Sequence, residues 1–134
     1  MLVNGKEFSI VPYANLHGAD LHGAKNIPEL IAAQLSILAD GALIVYKKCI
    51  EGIVTLRIPV DASRSNATGR KCRASKAVVI STPGGKAAHS RHAESFTYIP
   101  GATVATRQPF DTDRWNECGS GIHFFLSKIE AEKY

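Results

Sequence analysis

The sequence predicts an α+β domain, mostly antiparallel sheet with two helices, behind a short repetitive N-terminal segment. Three observations carry this reading. Between residues 43 and 126 short apolar runs recur, separated by turn signals such as Glu51-Gly52, Pro83-Gly84-Gly85 and Pro100-Gly101, as a series of short strands would be. Only two segments read as helices, one opened by Pro28 and one by the capping sequence Ser127-Lys128-Ile129-Glu130. Residues 14–26 carry a five-residue period, Ala14-Asn15-Leu16-His17-Gly18 followed by Ala19-Asp20-Leu21-His22-Gly23. The boundary drawn from these is residues 1–27 for the N-terminal segment and 28–134 for the α+β domain.

Taken in order, residues 1–13 read as a strand carrying Phe8, Ile10 and Val11 and stopped by Pro12. Two repeat units cannot bury a core by themselves, so they must lean on the domain that follows. A helix over 29–39 sets Leu30, Ile31, Leu35 and Leu38 in one stripe and ends at Asp40-Gly41. Residues 43–50 and 53–58 form a hairpin in which Val54, Leu56 and Ile58 alternate with Thr55 and Arg57. Pro59 ends it, and Asp61 or Ser63 caps a helical turn into a basic loop. The third strand, 73–81, puts Cys72, Ala74, Val78 and Ile80 on one face and Lys71, Arg73 and Ser75 on the other. Residues 86–94 form a polar loop holding His89 and His92. Further strands follow at 95–99, 103–106 and 121–126, with an aromatic-ended loop at 110–115 before the last. The second helix runs over 127–134.

The chain has 134 residues, 45% of them hydrophobic and 21% charged, as in ordinary globular domains. Sixteen Lys+Arg against 12 Asp+Glu give a net charge of +4, a mild bias toward acidic partners. With so little excess charge and no reading helix, duplex DNA is not an expected partner. No apolar run is long enough to span a membrane, and MLVNGKEF lacks an apolar signal core, so the expectation is a cytoplasmic protein without a membrane partner. Cys49, Cys72 and Cys118 are odd in number and far apart, which suits a reducing compartment better than a disulfide framework.

The basic bias gathers in one stretch, SRSNATGRKCRASK, from Ser63 to Lys76. It contains Arg64, Arg70, Lys71, Arg73 and Lys76 and no acid. Small turn-forming residues among the cations leave backbone N–H groups beside guanidinium donors, a combination suited to phosphate. A solvated basic loop explains the same run without any ligand. Read as a site, Arg70, Lys71 and Arg73 contact an anion and Arg64 assists. Tyr46 and Trp115 supply stacking faces, and His89 and His92 belong to an adjoining polar loop. On that reading Arg73→Ala weakens binding by on the order of a few kcal/mol and leaves the fold intact.

The five-residue tandem resembles the pentapeptide-repeat family. The resemblance implies one or two turns of a square right-handed β-coil with Leu16 and Leu21 at its centre, and the repeat alone accounts for the spacing of His17 and His22. The segments LIVYKKC, GIVTLRIP, RKCRA (Arg70 to Ala74), FTYIPGATV and Cys118 to Phe125 resemble an uncharacterised domain of phage and prophage proteins that commonly follows such repeats. That likeness spans residues 28–134. It implies a phage origin and the host cytoplasm as location, and it implies no activity. The end of the chain, GIHFFLSKIEAEKY, is similar to the strand–helix piece of ADP-ribosyltransferases, which implies an NAD-dependent enzyme as the alternative. Glu130 is already accounted for by capping, so a glutamate to activate the ribose is not evident.

Other chemistry finds less support. Cys49, Cys72, Cys118 and His123 share no CxxC or HxxxH spacing, and buried cysteines usually serve as small core residues, so no metal or other cofactor is expected. A Cys118–His123 couple needs sulfur and imidazole within hydrogen-bond reach. No GxxxxGK[ST] loop or carboxylate pair is present. The expectation is binding without turnover. The partner is a phosphorylated small molecule such as a nucleotide signal, or an acidic surface on a host defence protein. Exposed coil ends and strand edges leave homo-oligomerisation open.

Overall fold

The computed structural model of the chain describes residues 2–3, 6–7, 16, 18–25, 27–91 and 96–134. Phe8, Ile10 and Val11 of the expected first strand, most of the first repeat unit and His92 lie outside the described residues. In chain order the elements are β1 (Leu2–Val3), β2 (Lys6–Glu7), α1 (Glu29–Leu35), β3 (Leu43–Cys49), β4 (Gly52–Ile58), β5 (Arg64–Asn66), β6 (Cys72–Ala74) and β7 (Lys76–Ser81). A 3-10 turn over Pro83–Gly85 follows, then β8 (Ala88–His89), β9 (Thr97–Tyr98), β10 (Thr103–Ala105), β11 (Ile122–Phe124) and α2 (Lys128–Lys133). The mixed, mostly antiparallel architecture with two helices is the one the sequence predicts. Among the described residues no helix is long and apolar enough to cross a membrane.

The main sheet runs β10-β7-β4-β3 and a second runs β11-β6-β5, every pair antiparallel. The β3–β4 hairpin holds the predicted phase, with Val54, Leu56 and Ile58 buried. Two seams join the sheets. The expected strand 73–81 breaks at Ser75, whose N–H donates to Ser63 O (2.8 Å) while its carbonyl accepts from Thr106 N (3.0 Å). One bent strand, β6 plus β7, thus serves both sheets. On the other side Tyr46 and Phe125 exchange backbone hydrogen bonds of 2.9 and 2.8 Å. A hydrogen-bonded circuit therefore passes from β3 to β4 to β7, through the bend to β6, on to β11 and back to β3. The bend also shifts the alternation. Ala77 and Val79 turn inward, whereas Ile80, expected inside, is 46% exposed.

The core gathers Val45, Val54, Leu56, Ile58, Val79 and Phe124 with the bodies of Tyr98 and Ile122. A smaller cluster packs Leu21, Ile31 and Leu35 against Leu16 and Trp115. The helix α1 stops four residues before its expected end for an identifiable reason. Asn66 Nδ2 donates to Leu35 O (2.7 Å), and Asn66 Oδ1 accepts from Ile37 N (3.2 Å). A side chain on β5 thus takes over backbone groups at the helix end, and the chain leaves extended at Ser36. At α2 the predicted capping box forms: Ser127 Oγ accepts from Glu130 N (3.3 Å) and donates to Glu130 Oε1 (2.8 Å).

Candidate functional site

The stretch 63–76 is not a loop. Its ends form β5 and β6, and its cations go to different tasks. Arg64 donates to Gly41 O (2.6 Å) and Pro59 O (2.7 Å), fastening the chain after α1 to the end of β4. Arg70 forms a two-pronged pair with Glu130 (2.8 and 2.9 Å) on the outer surface. Lys76 pairs with Asp61 at 2.6 Å. Arg73 is only 2% exposed. Its Nη1 donates to Asp111 O (2.6 Å) and Ser120 O (3.0 Å), its Nη2 to Asp113 O (2.6 Å), and the guanidinium lies 4.6 Å from the Phe110 ring. Burial lowers its pKa, with Asp111 and Asp113 opposing that shift. Gly121 makes the approach feasible, because a Cβ there would stand 3.0 Å from Arg73 Cβ. Arg73 therefore acts as a rivet that holds the 110–121 loop on the second sheet.

The remaining candidates also separate. His89 pairs with Glu51 at 2.5 Å on the surface, and His92 lies outside the described residues. Trp115 packs in the small N-terminal cluster, with the Arg114 guanidinium 4.4 Å from its ring. Tyr46 sits at the β3–β11 seam.

Lys71 goes elsewhere. It lines a hollow of about 620 Å³ between β3, β9, β11, the 118–121 turn that Arg73 secures, and the end of α2. Lys47, Lys48, Arg91 and Arg107 line it as well, together with Phe96, Tyr98, Phe125 and Tyr134. Among the described residues no aspartate or glutamate contributes to its wall. Several cations are anchored by one or two contacts. Lys47 Nζ donates to His123 O (3.0 Å), Lys71 Nζ to Tyr134 Oη (2.8 Å), and Lys48 Nζ to Glu132 O (3.1 Å) and Tyr134 O (3.0 Å). An ammonium has three N–H donors, so these contacts orient Lys47 and Lys71 without exhausting them.

Reasoning from sequence missed Lys47, although a signal was present. In LIVYKKC, Lys47 shares its strand phase with Val45 and Cys49, both buried, and a lysine on an inward face calls for an explanation. Arg91 and Arg107 come from separate segments after β8 and β10 and carried no such signal.

Burial sets the electrostatics. It lowers the Lys47 pKa, nearby Lys71 working the same way and Cys49 the other. His123, cross-strand from Arg73, is pushed down to about 4, first by burial and then by Lys71, Lys47 and Arg73, with a hydrogen bond that the ring donates to the Gly119 backbone opposing. Its Nε2 is buried without a hydrogen-bond partner. Burial raises Cys49 to about 11 and Cys72 to about 12, so both are core thiols. Cys118 is exposed and lines the hollow.

Fold and site together define a mixed α+β domain around a cation-lined, aromatic-walled hollow. The chain belongs to a family of unknown function (DUF5758), which it matches over residues 33–131. No curated protein and no solved structure matches it.

Proposed function

We propose that the hollow binds a phosphorylated small molecule of the nucleotide class and releases it unchanged. One observation carries the reading: cationic side chains and aromatic rings share a single cavity whose described walls hold no aspartate or glutamate side chain. Phosphate needs charged donors, a base needs a flat apolar face, and an acidic neighbour would repel the first. The volume lies within the roughly 300–1,000 Å³ usual for small-molecule sites, and a concave site suits such a ligand better than an acidic protein face. The NAD-cleaving alternative gains nothing from Glu130, which is hydrogen-bonded to Ser127 and paired with Arg70.

The resemblance to a phage domain found behind pentapeptide repeats supports a further step within this proposal. A phage accessory protein of this kind would sequester a host signalling nucleotide and so blunt a host defence. The test is a mass-spectrometric survey of small molecules released from the heat-denatured protein, followed by calorimetry with AMP, ADP and ATP. An intact phosphorylated compound and saturable binding are expected. Binding of none of them, with a host protein co-purifying instead, would overturn the reading in favour of the acidic-surface alternative.

A further inference from the structure

Three cations of the hollow converge on one residue. Lys71 Nζ, from the turn before β6, donates to Tyr134 Oη (2.8 Å). Lys48 Nζ, from β3, donates to Tyr134 O (3.0 Å), and Arg91 Nη1, from the segment after β8, donates to the same oxygen (3.4 Å). The Tyr134 ring meets Phe125 with 5.2 Å between centroids. Tyr134 thus engages the very donors, and one of the rings, that the nucleotide reading assigns to a ligand.

The two ends of α2 are held differently. At its start Ser127 and Glu130 close the capping box, Glu130 pairs with Arg70, and Ala131 is fully buried. Past its far end Tyr134 is 47% exposed, and its N–H reaches Ala131 O at 3.3 Å. A helix of six residues is too short to be stiff by itself, and terminal turns are where local opening costs least. The last turn can therefore swing while the capped end stays on the domain.

We infer that Tyr134 is a strap across the hollow: without a ligand it occupies Lys71, Lys48 and Arg91, and an incoming phosphate takes over these donors and displaces it. This rests on the nucleotide reading above and adds the regulation of that site. The argument is a ranking of acceptors. A phosphate oxygen meets an ammonium or guanidinium as an ion pair and a hydrogen bond together, whereas the phenol oxygen of Tyr134 is a neutral acceptor. Opening the strap still has a cost, and every ligand bears it, because apparent affinity falls with the fraction of molecules that are open. The strap therefore sets a threshold that a compound without phosphate does not pass.

Calorimetry with AMP on the wild type, Tyr134→Ala and Tyr134→Phe tests this, together with amide hydrogen exchange over residues 132–134 with and without saturating AMP. Tyr134→Ala is expected to bind AMP about tenfold more tightly than the wild type. Tyr134→Phe, which loses the Lys71 contact and keeps the ring, should fall between them. In the wild type AMP should speed exchange over the last turn. Unchanged or weaker AMP binding by Tyr134→Ala would overturn the strap and leave nucleotide binding standing. Slower exchange of the last turn with AMP would do the same from the wild type alone, since Tyr134 would then be part of the ligand's seat. Absence of AMP binding by all three proteins would remove both readings.

Discussion

The basic stretch 63–76 and the hollow use the same residue types to opposite ends. In the stretch the positive charges lie close together in sequence and are spent on structure: Arg64 on two carbonyls, Arg70 on Glu130, Lys76 on Asp61, Arg73 on three carbonyls. In the hollow Lys47, Lys71, Arg91 and Arg107 come from four separate places in the chain, and among the described residues no aspartate or glutamate lines the wall beside them. Lys71 belongs to both regions and marks where they part, since Arg73, two residues on, points into the protein. Density of charge along a chain is therefore a poor measure of charge available to a ligand. What matters is whether neighbouring backbone carbonyls and carboxylates have already claimed it.

The sharpest break in this comparison is Arg73→Ala. If the residue is a rivet, the substitution strands three partly buried carbonyls and empties the site of a buried side chain, and should cost roughly 3–5 kcal/mol of stability, measured by urea denaturation. That reverses the expectation from sequence, in which the fold survived and binding weakened. Arg73→Lys should rescue little, because one ammonium cannot reproduce a planar fork spanning Asp111, Asp113 and Ser120.

Next in size is the acid response set by His123. Its folded pKa, about 4, lies below the 6.5 of an unperturbed histidine, so the unfolded chain takes up the proton first. The stability contributed by the neutral ring is whole above pH 6.5 and is lost as pH falls toward 4. It amounts to roughly 3 kcal/mol at 1.36 kcal/mol per pH unit. Glu130 and Asp111, held below the usual carboxylate range by hydrogen bonds to Arg70 and to Asp113 and Asn116 respectively, act in the same direction at lower pH. Denaturation of wild type and His123→Gln at pH 7 and pH 4.5 separates the two, the variant losing less.

Lys71→Ala should leave the fold in place and weaken nucleotide binding about 10- to 100-fold, the value of one charge-assisted hydrogen bond of roughly 1.5–3 kcal/mol. Calorimetry reads this directly, and unchanged affinity would detach Lys71 from the site. Smallest of all is Arg70→Ala. The pair with Glu130 is well formed, but the Arg70 side chain is 54% exposed, so less than about 1 kcal/mol of stability and no ligand affinity should be lost.

The sequence by itself determined the element types. Apolar alternation marked β3 and β4, the Ser127–Glu130 pattern marked α2, and turn residues marked the breaks, because these signals act between residues close together in the chain. Only the tertiary structure decided what could not be local: the bend at Ser75 that splits one strand between two sheets, the early end of α1 at Asn66, and the hollow itself. The physical reason is partnership. A strand pattern is complete within a few residues, whereas the availability of a cation depends on which distant groups the fold brings against it, and that is settled only when the sheets close.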